Sequence, residues 1–122
     1  MTDFKGTPGP WSTSKHYEDC LIVLDPRGYE IVSAETLPIL SNYSERLGVQ
    51  HWSDDERAAI ELSQDEQAAN AMLIAAAPEL LEVLQEMVAI VKKNSYPCPD
   101  KPNSNYARAE EAEAVIAKAL GK

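Results

Sequence analysis

Apolar residues in the segment 63–94 recur at alternating spacings of three and four, which is the pattern of a helix with buried faces. The pattern is unusually wide because it contains two neighbouring rows. The first row is Ala77, Leu81, Leu84, Val88 and Val91, and the second is Leu73, Ala76, Leu80, Val83, Met87 and Ile90. Two rows need two partners, and a short chain has a limited core. We expect one partner to be the chain's own structure and the other a second copy, with burial of both rows in a monomer as the alternative.

Polar residues define both ends of this long helix. Ser63 followed by Glu66 is a capping box at the start, and Lys92 and Lys93 lie near the negative end of the helix dipole. Pro78 falls in the middle, where it lacks an N–H donor and crowds the preceding turn. The pattern therefore predicts a continuous but kinked helix. A new helix starting at Pro78 is the alternative, although the residue before it is a poor N-cap.

A β-hairpin is predicted upstream of the long helix. Residues 20–25 form a short apolar run, residues 25–28 (DPRG) have the composition of a tight turn, and residues 29–33 alternate as a return strand. Residues 10–13 are expected to start an earlier strand, with Trp11 as an anchor on the core side. Since an isolated hairpin is marginal in water, it needs such a third strand or a covering helix.

The segments on either side of the long helix are less regular. Residues 34–53 are expected to hold a strand flanked by a mobile loop. Ser53 precedes three acidic residues and predicts a short helix over 54–61, with a strand over 58–62 as the alternative. Residues 95–105 form a proline-rich connector, and a last helix is expected over 106–120, capped by one of residues 103–105 and closed by Gly121.

These elements predict an α+β fold: a small N-terminal antiparallel sheet, then a long kinked helix and a C-terminal helix that form a helical hairpin. We expect one domain, 1–122, with a sheet-rich part over 1–62 and the helical hairpin over 63–122.

Charge and composition narrow the classes of partner. The 122 residues include 20 acidic and 11 basic side chains, for a formal charge of −9, which disfavours binding to nucleic acid or anionic membrane. The chain has neither an 18-residue apolar run nor an apolar leader, so we expect no membrane span or secretory signal. Cys20 and Cys98 are not in a metal-type spacing, which favours reduced thiols in the cytoplasm, with a disulfide as the alternative.

Catalytic motifs are weak. His16 and His51 lack companion motifs, so each is expected to be a surface or partly packed side chain. The acidic triplet 54–56 has ligands suited to Mg²⁺ or Ca²⁺, but a solvated first helical turn is the favoured interpretation. We therefore predict no catalytic residues, no metal and no cofactor, with a metal-dependent hydrolase using the triplet as a remote alternative.

Binding signals are stronger. Asn70 lies among alanines early in the long helix, where its amide needs a hydrogen-bonding partner, and the aromatic side chains of the N-terminal half can stack on a base. Arginines can clamp phosphates bidentately. The simpler alternatives are a solvated Asn, aromatic core anchors and surface charges. The candidate ligand-binding residues are Asn70, Arg27, Arg57, Arg108, Trp11 and Tyr29.

Three sequence features resemble a widespread group of small phage and prophage proteins. They are GPW at 9–11, a hairpin with D-x-x-G at 25–28, and NAMLIAAAPELLEVL at 70–84, which follows a NAxLIAAAPELLExL pattern. The layout of a sheet followed by two helices is also similar to the Thoeris anti-defence proteins of phages, which sequester cyclic ADP-ribose-type signals between subunits without cleaving them. This resemblance implies a homo-oligomer with a nucleotide pocket at a subunit junction. The alternative is a phage accessory protein that binds a host protein.

Overall fold

The computed structural model describes residues 4–17 and 20–122, apart from the side chains of residues 16, 17 and 20. Predictions about the side chains of His16 and Cys20 therefore lie outside the described residues. The elements confirm the predicted α+β class, with an N-terminal antiparallel sheet, a long helix and a C-terminal helix. They are β1 (Ser12–Tyr17), β2 (Cys20–Leu24), β3 (Glu30–Ala34), α1 (Tyr43–Leu47), α2 (Gln64–Lys93) and α3 (Asn105–Ala119).

The sheet has β2 at its centre and both neighbours antiparallel to it, in the order β1-β2-β3. Val23 pairs with Thr13 of β1 on one side and with Val32 of β3 on the other. Val23 is fully buried, as expected for an apolar, β-branched residue on a central strand. The sequence predicted a first strand from residue 10 onward, and β1 is that strand. It supplies the third strand that the hairpin needs for stability.

The region between the sheet and α2 differs from the prediction. Instead of a helix over 54–61, the chain makes two short 3₁₀ turns, Trp52–Asp54 and Glu56–Ala58. The capping box begins at His51, two residues earlier than the expected Ser53. The His51 ring accepts from the Ser53 N–H, and the Asp54 carboxylate accepts from the His51 N–H. Asp55 separates the turns in an extended conformation, because its carboxylate accepts from the Arg57 N–H two residues later. The predicted helix over 54–61 is therefore wrong.

The alternative of a strand over 58–62 is closer to the structure. Backbone hydrogen bonds join Leu40 to Ala58, Ile60 to Pro38, and Leu62 to Thr36 in an antiparallel ladder. The preceding residues contain a helix, α1, that the sequence did not predict. Its ends are set by left-handed residues: Asn42 at φ 56° and Gly48 at φ 68°.

Helix α2 is continuous over 30 residues, with Pro78 inside it, so the alternative of a new helix at Pro78 is wrong. The Ser63 hydroxyl accepts from the Glu66 N–H at 3.1 Å, as the capping signal predicted. The buried Gln67 amide donates to the Ala34 carbonyl at 3.0 Å. That bond fixes the start of α2 to the end of β3.

The described chain forms two compact units. One is Trp11–Ala75, and the other combines the residues up to Pro10 with Ala76–Lys122, so α2 contributes to both. The buried apolar residues described in the first unit are Ile22, Val23, Ala34, Ala58, Ala71 and Ala75. Most of them are alanines, and each alanine contributes little apolar surface. The expectation of a single domain divided at residue 62 stays a prediction.

The second unit contains the predicted helical hairpin. Helix α3 begins after Ser104, whose hydroxyl accepts from the Ala107 N–H, close to the predicted start. Val88 of α2 and Ala109 of α3 are buried, and the Lys92 Nζ donates to the Glu113 Oε1 at 2.7 Å across the two helices. Cys98, in the connector between the helices, is a free, half-buried thiol.

Candidate functional site

The most prominent surface feature of the second unit is an uncovered line of large apolar side chains on α2. Four of them, which we call the exposed row, are Leu80, Val83, Met87 and Ile90, with exposed fractions of 53%, 51%, 56% and 61%. Leu73, in the same register one heptad earlier, is 65% exposed. The exposed row is the main part of the second apolar row of the sequence.

The first apolar row behaves differently. Val88 is buried, and Leu81, Leu84 and Val91 are half-buried. The chain itself thus covers most of the first row, with Ala77 exposed, and leaves the second row largely uncovered. A second copy as the partner of the second row stays a prediction. Burial of both rows within one monomer, the alternative, is contradicted by these exposures.

Charged residues border the exposed row along one side. Glu79 and Glu86 immediately precede Leu80 and Met87, and Lys93 follows after another seven residues. Residues seven apart lie nearly above one another on a helix, so the three form one line beside the row. All three side chains are exposed. We call this line the charged border.

Two of the predicted ligand-binding residues lie together at the β2–β3 turn. The Arg27 guanidinium is centred 4.9 Å from the Tyr29 ring, and both side chains are exposed. The buried Asp25 holds this arrangement. Its Oδ1 accepts from the backbone N–H groups of Arg27 and Tyr29, and its Oδ2 accepts from Arg27 Nε and Nη2 at 2.9 and 2.7 Å.

These hydrogen bonds set the charge state of Asp25. Burial alone raises the pKa of a carboxyl group, because it penalises the charged form. The N–H groups of Tyr29 and Arg27, together with the Arg27 side chain, outweigh burial and hold the pKa of Asp25 below its ordinary value. Asp25 is thus an ionised turn residue that already occupies one edge of the Arg27 guanidinium.

Arg57 is held in the same local pattern. Its backbone N–H donates to Asp55 Oδ1 at 2.9 Å, and its Nη2 donates to Oδ2 at 2.7 Å. The side-chain hydrogen bond from Arg57 lowers the pKa of Asp55 to about 2, and the same bond raises the pKa of Arg57. Arg57 is therefore already paired with a carboxylate of its own chain.

The remaining predicted residues belong to other elements of the chain. Arg108, in the second unit, donates to Glu111 at 3.0 Å and to Asn103 at 3.1 Å. Asn70 is exposed on α2. Trp11 is half-buried immediately before β1, where the pairing of Ser12 with Leu24 brings it to the level of Asp25. Among the six residues, Arg27 and Tyr29 are in contact with each other, and the six-residue ligand site stays a prediction.

Two arginines each pair with an aspartate two residues earlier, and the sequence pattern that indicates this was not used in the prediction. Asp25 and Arg27, like Asp55 and Arg57, are spaced as Asp-x-Arg. An Asp side chain commonly accepts from the backbone N–H two residues later, which places the following guanidinium beside the carboxylate. Both copies of the pattern form this bond here, and it reduces the capacity of these arginines to bind phosphate.

The second unit also contains an apolar cavity of about 360 Å³. It lies between the N-terminal segment and α2 around the helix proline, and its walls include Phe4, Pro8, Pro78 and Leu81. None of the six predicted ligand-binding residues lines it. The sequence analysis did not predict this cavity.

Within residues 4–17 and 20–122, no three His, Cys, Asp or Glu residues are grouped so as to hold a metal ion. In the same part of the chain, no helix has the length and apolar composition needed to cross a membrane.

Comparison with known proteins gives a match at the level of the family. The family model described as Salmonella phage P22 protein Y8K6 matches residues 1–122. No curated protein and no solved structure matches the chain. The match supports the phage origin that the sequence suggested, and it covers both units. The chain belongs to the Salmonella phage P22 protein Y8K6 family.

Proposed function

We propose that this phage protein is a non-catalytic binding protein that works as an assembly of identical chains joined through the exposed row of α2. The observation that carries the proposal is the exposure of more than half of each of four consecutive large side chains in the row. Contiguous apolar surface of this kind marks an interaction site on a soluble protein. Burying the exposed half of one such side chain contributes about 1 kcal/mol, so the row as a whole is needed for stable association.

Two matched substitutions test this surface. Val83→Glu introduces a charge into the exposed row, whereas Val115→Glu introduces the same charge at a valine of α3 that is 58% exposed. We expect sedimentation to show that Val83→Glu dissociates the assembly and that Val115→Glu leaves it intact. Equal masses for the wild type and both variants would contradict the proposal that the exposed row forms the interface.

The ligand we propose for the assembly is a cyclic nucleotide signal of the cyclic ADP-ribose type, bound and sequestered as an anti-defence function. Two points support this: the resemblance to Thoeris anti-defence proteins, and the contact of Arg27 with Tyr29 at 4.9 Å on an exposed turn. An exposed tyrosine offers a stacking surface for a base, and the free edge of the guanidinium can donate to a phosphate. In this proposal Asn70, Arg57, Arg108 and Trp11 supply further contacts at subunit junctions.

A thermal-shift screen against cyclic ADP-ribose isomers and cyclic oligonucleotides tests the ligand. We expect one of these compounds to raise the unfolding temperature, and Arg27→Met to abolish the shift. Arg46→Met, at an exposed arginine of α1, is the control that should retain it. Recovery of intact nucleotide after heat denaturation supports sequestration, whereas a cleaved product would indicate an enzyme.

The second candidate is a phage accessory protein whose exposed row binds a host protein. The same exposed side chains favour it, because an apolar face accepts a foreign helix as readily as its own copy. It differs from the first candidate in two measurable ways. The isolated chain should be a monomer, and it should show no thermal shift with nucleotides. A defined host protein should then co-purify with the wild type and with Val115→Glu, but not with Val83→Glu.

A further inference from the structure

We infer that the occupant of the exposed row is the same row of a second copy, with the two α2 helices antiparallel. This rests on the proposed self-association and adds the orientation and the residue pairs. The spacing of the row is symmetric about its midpoint at residue 85: Leu80 and Ile90 lie at equal distances from it, as do Val83 and Met87. A two-fold axis at that point places Leu80 against the partner's Ile90, and Val83 against the partner's Met87.

The charged border favours this orientation. In an antiparallel pair related by a two-fold axis, the same border of each helix faces that of the other. At 1.5 Å per residue, Glu79 and the partner's Lys93 then lie roughly 3 Å apart along the helix axis, within side-chain reach. The symmetry repeats this pair, so two opposite-charge contacts form. Lys92, in contrast, already binds Glu113 within its own chain.

One like-charge contact opposes these two. Glu86 lies beside the axis, where it faces the partner's Glu86. In a parallel pair the charged border would instead face the other side of the partner's row, where Leu84 and Val91 offer no charge. The antiparallel pair therefore has two attractive contacts and one repulsive contact, and the parallel pair has none. The net attraction is what selects the antiparallel arrangement.

Disulfide trapping distinguishes the two orientations. Leu80→Cys and Ile90→Cys are made separately in a chain in which Cys20 and Cys98 are replaced by serine. We expect neither variant to cross-link with itself under oxidation and an equimolar mixture to form the mixed disulfide, because only that pair brings two Cβ atoms together. Cross-linking of each variant with itself would overturn the antiparallel arrangement and leave self-association standing. No cross-linking, together with a monomer mass, would overturn both proposals.

Charge exchange gives an independent test that does not depend on cysteines. Glu79→Lys and Lys93→Glu should each weaken the dimer by on the order of tenfold, since each places like charges at two symmetric contacts. The double variant should restore wild-type affinity. Glu110→Lys, which makes the same change in net charge at an exposed position of α3, is the control. Glu86→Gln should tighten the dimer. Absence of rescue in the double variant would contradict the pairing of Glu79 with Lys93.

Discussion

Lys92 of α2 donates a hydrogen bond to Glu113 of α3 at 2.7 Å, and its ammonium group also lies 4.7 Å from the centre of the Tyr106 ring. The bond to Glu113 is the main cause of a raised pKa at Lys92, with the hydrogen bond to Tyr106 adding to it. One α2 side chain thus contacts two residues of α3. The contact joins the two helices of the hairpin on the side of α2 that also presents the first apolar row.

This contact predicts a difference between two lysines of the helical hairpin. Lys92→Met should lower the unfolding temperature by more than Lys118→Met, at an exposed lysine of α3, because both remove one positive charge but Lys92 joins α2 to α3. Since the pKa of Lys92 is raised, its stabilising effect is complete below 10.5 and is lost as the pH rises through the folded-state value. Thermal unfolding of the two variants near neutral pH measures the difference. Equal effects would show that the bond contributes nothing.

A second prediction concerns Asp55. Its carboxyl group should titrate with a midpoint of about 2, and Arg57→Gln should move that midpoint up towards 3.8, because the side-chain hydrogen bond from Arg57 is the largest cause of the shift. The carboxylate therefore stabilises the fold above 3.8, and its contribution is lost as the pH falls towards 2. NMR titration of the carboxyl carbon tests this. Arg46→Gln should leave the midpoint unchanged, and an identical midpoint in Arg57→Gln would contradict the assignment.

Asp25 should matter more for folding than an exposed carboxylate does. Asp25→Ala removes the acceptor of two backbone N–H groups in the β2–β3 turn, so the turn loses its internal support. We expect a clear drop in unfolding temperature near neutral pH, whereas Asp100→Ala, in the exposed connector, should have little effect. The lowered pKa of Asp25 means that the difference between Asp25→Asn and the wild type should shrink as the pH falls below 3.8. A pH-independent difference would rule out the ionised carboxylate as the cause.

Val23 should be the most sensitive apolar position of the sheet. Val23→Ala removes two methyl groups from a fully buried site on the central strand, at an expected cost of about 2 kcal/mol in the free energy of unfolding. Val32, its direct partner on β3, is 37% exposed and provides a control in the same sheet. Chemical denaturation should show a smaller loss for Val32→Ala. A loss of similar size in the two variants would contradict the burial pattern.

How much was predictable differs between the parts of the chain. The sheet and both long helices were predicted because apolar periodicity and caps agree there, as at Ser63 and Ser104. The helix over 54–61 was not, because Asp55 has two hydrogen-bonding options: the first turn of a helix, or the Arg57 N–H beside it. Spacing alone cannot decide between such local alternatives.

The same distinction applies to the candidate site. Two apolar rows on α2 were predicted from spacing, and their unequal exposure depends on where α3 packs, which spacing does not specify. Arg27 and Tyr29 are two residues apart, and the β2–β3 turn brings their side chains into contact. Asn70 and Arg108 are 38 positions apart. Whether such distant residues share a ligand depends on subunit assembly, which the periodicity of one chain does not encode.

The central claim is that the exposed row joins copies of this chain. Light scattering on the purified wild-type protein across micromolar concentrations tests it most directly. We predict a mass of at least twice 13.4 kDa, decreasing on dilution as copies dissociate. A constant mass of 13.4 kDa at every concentration would contradict self-association and leave the row to a different partner.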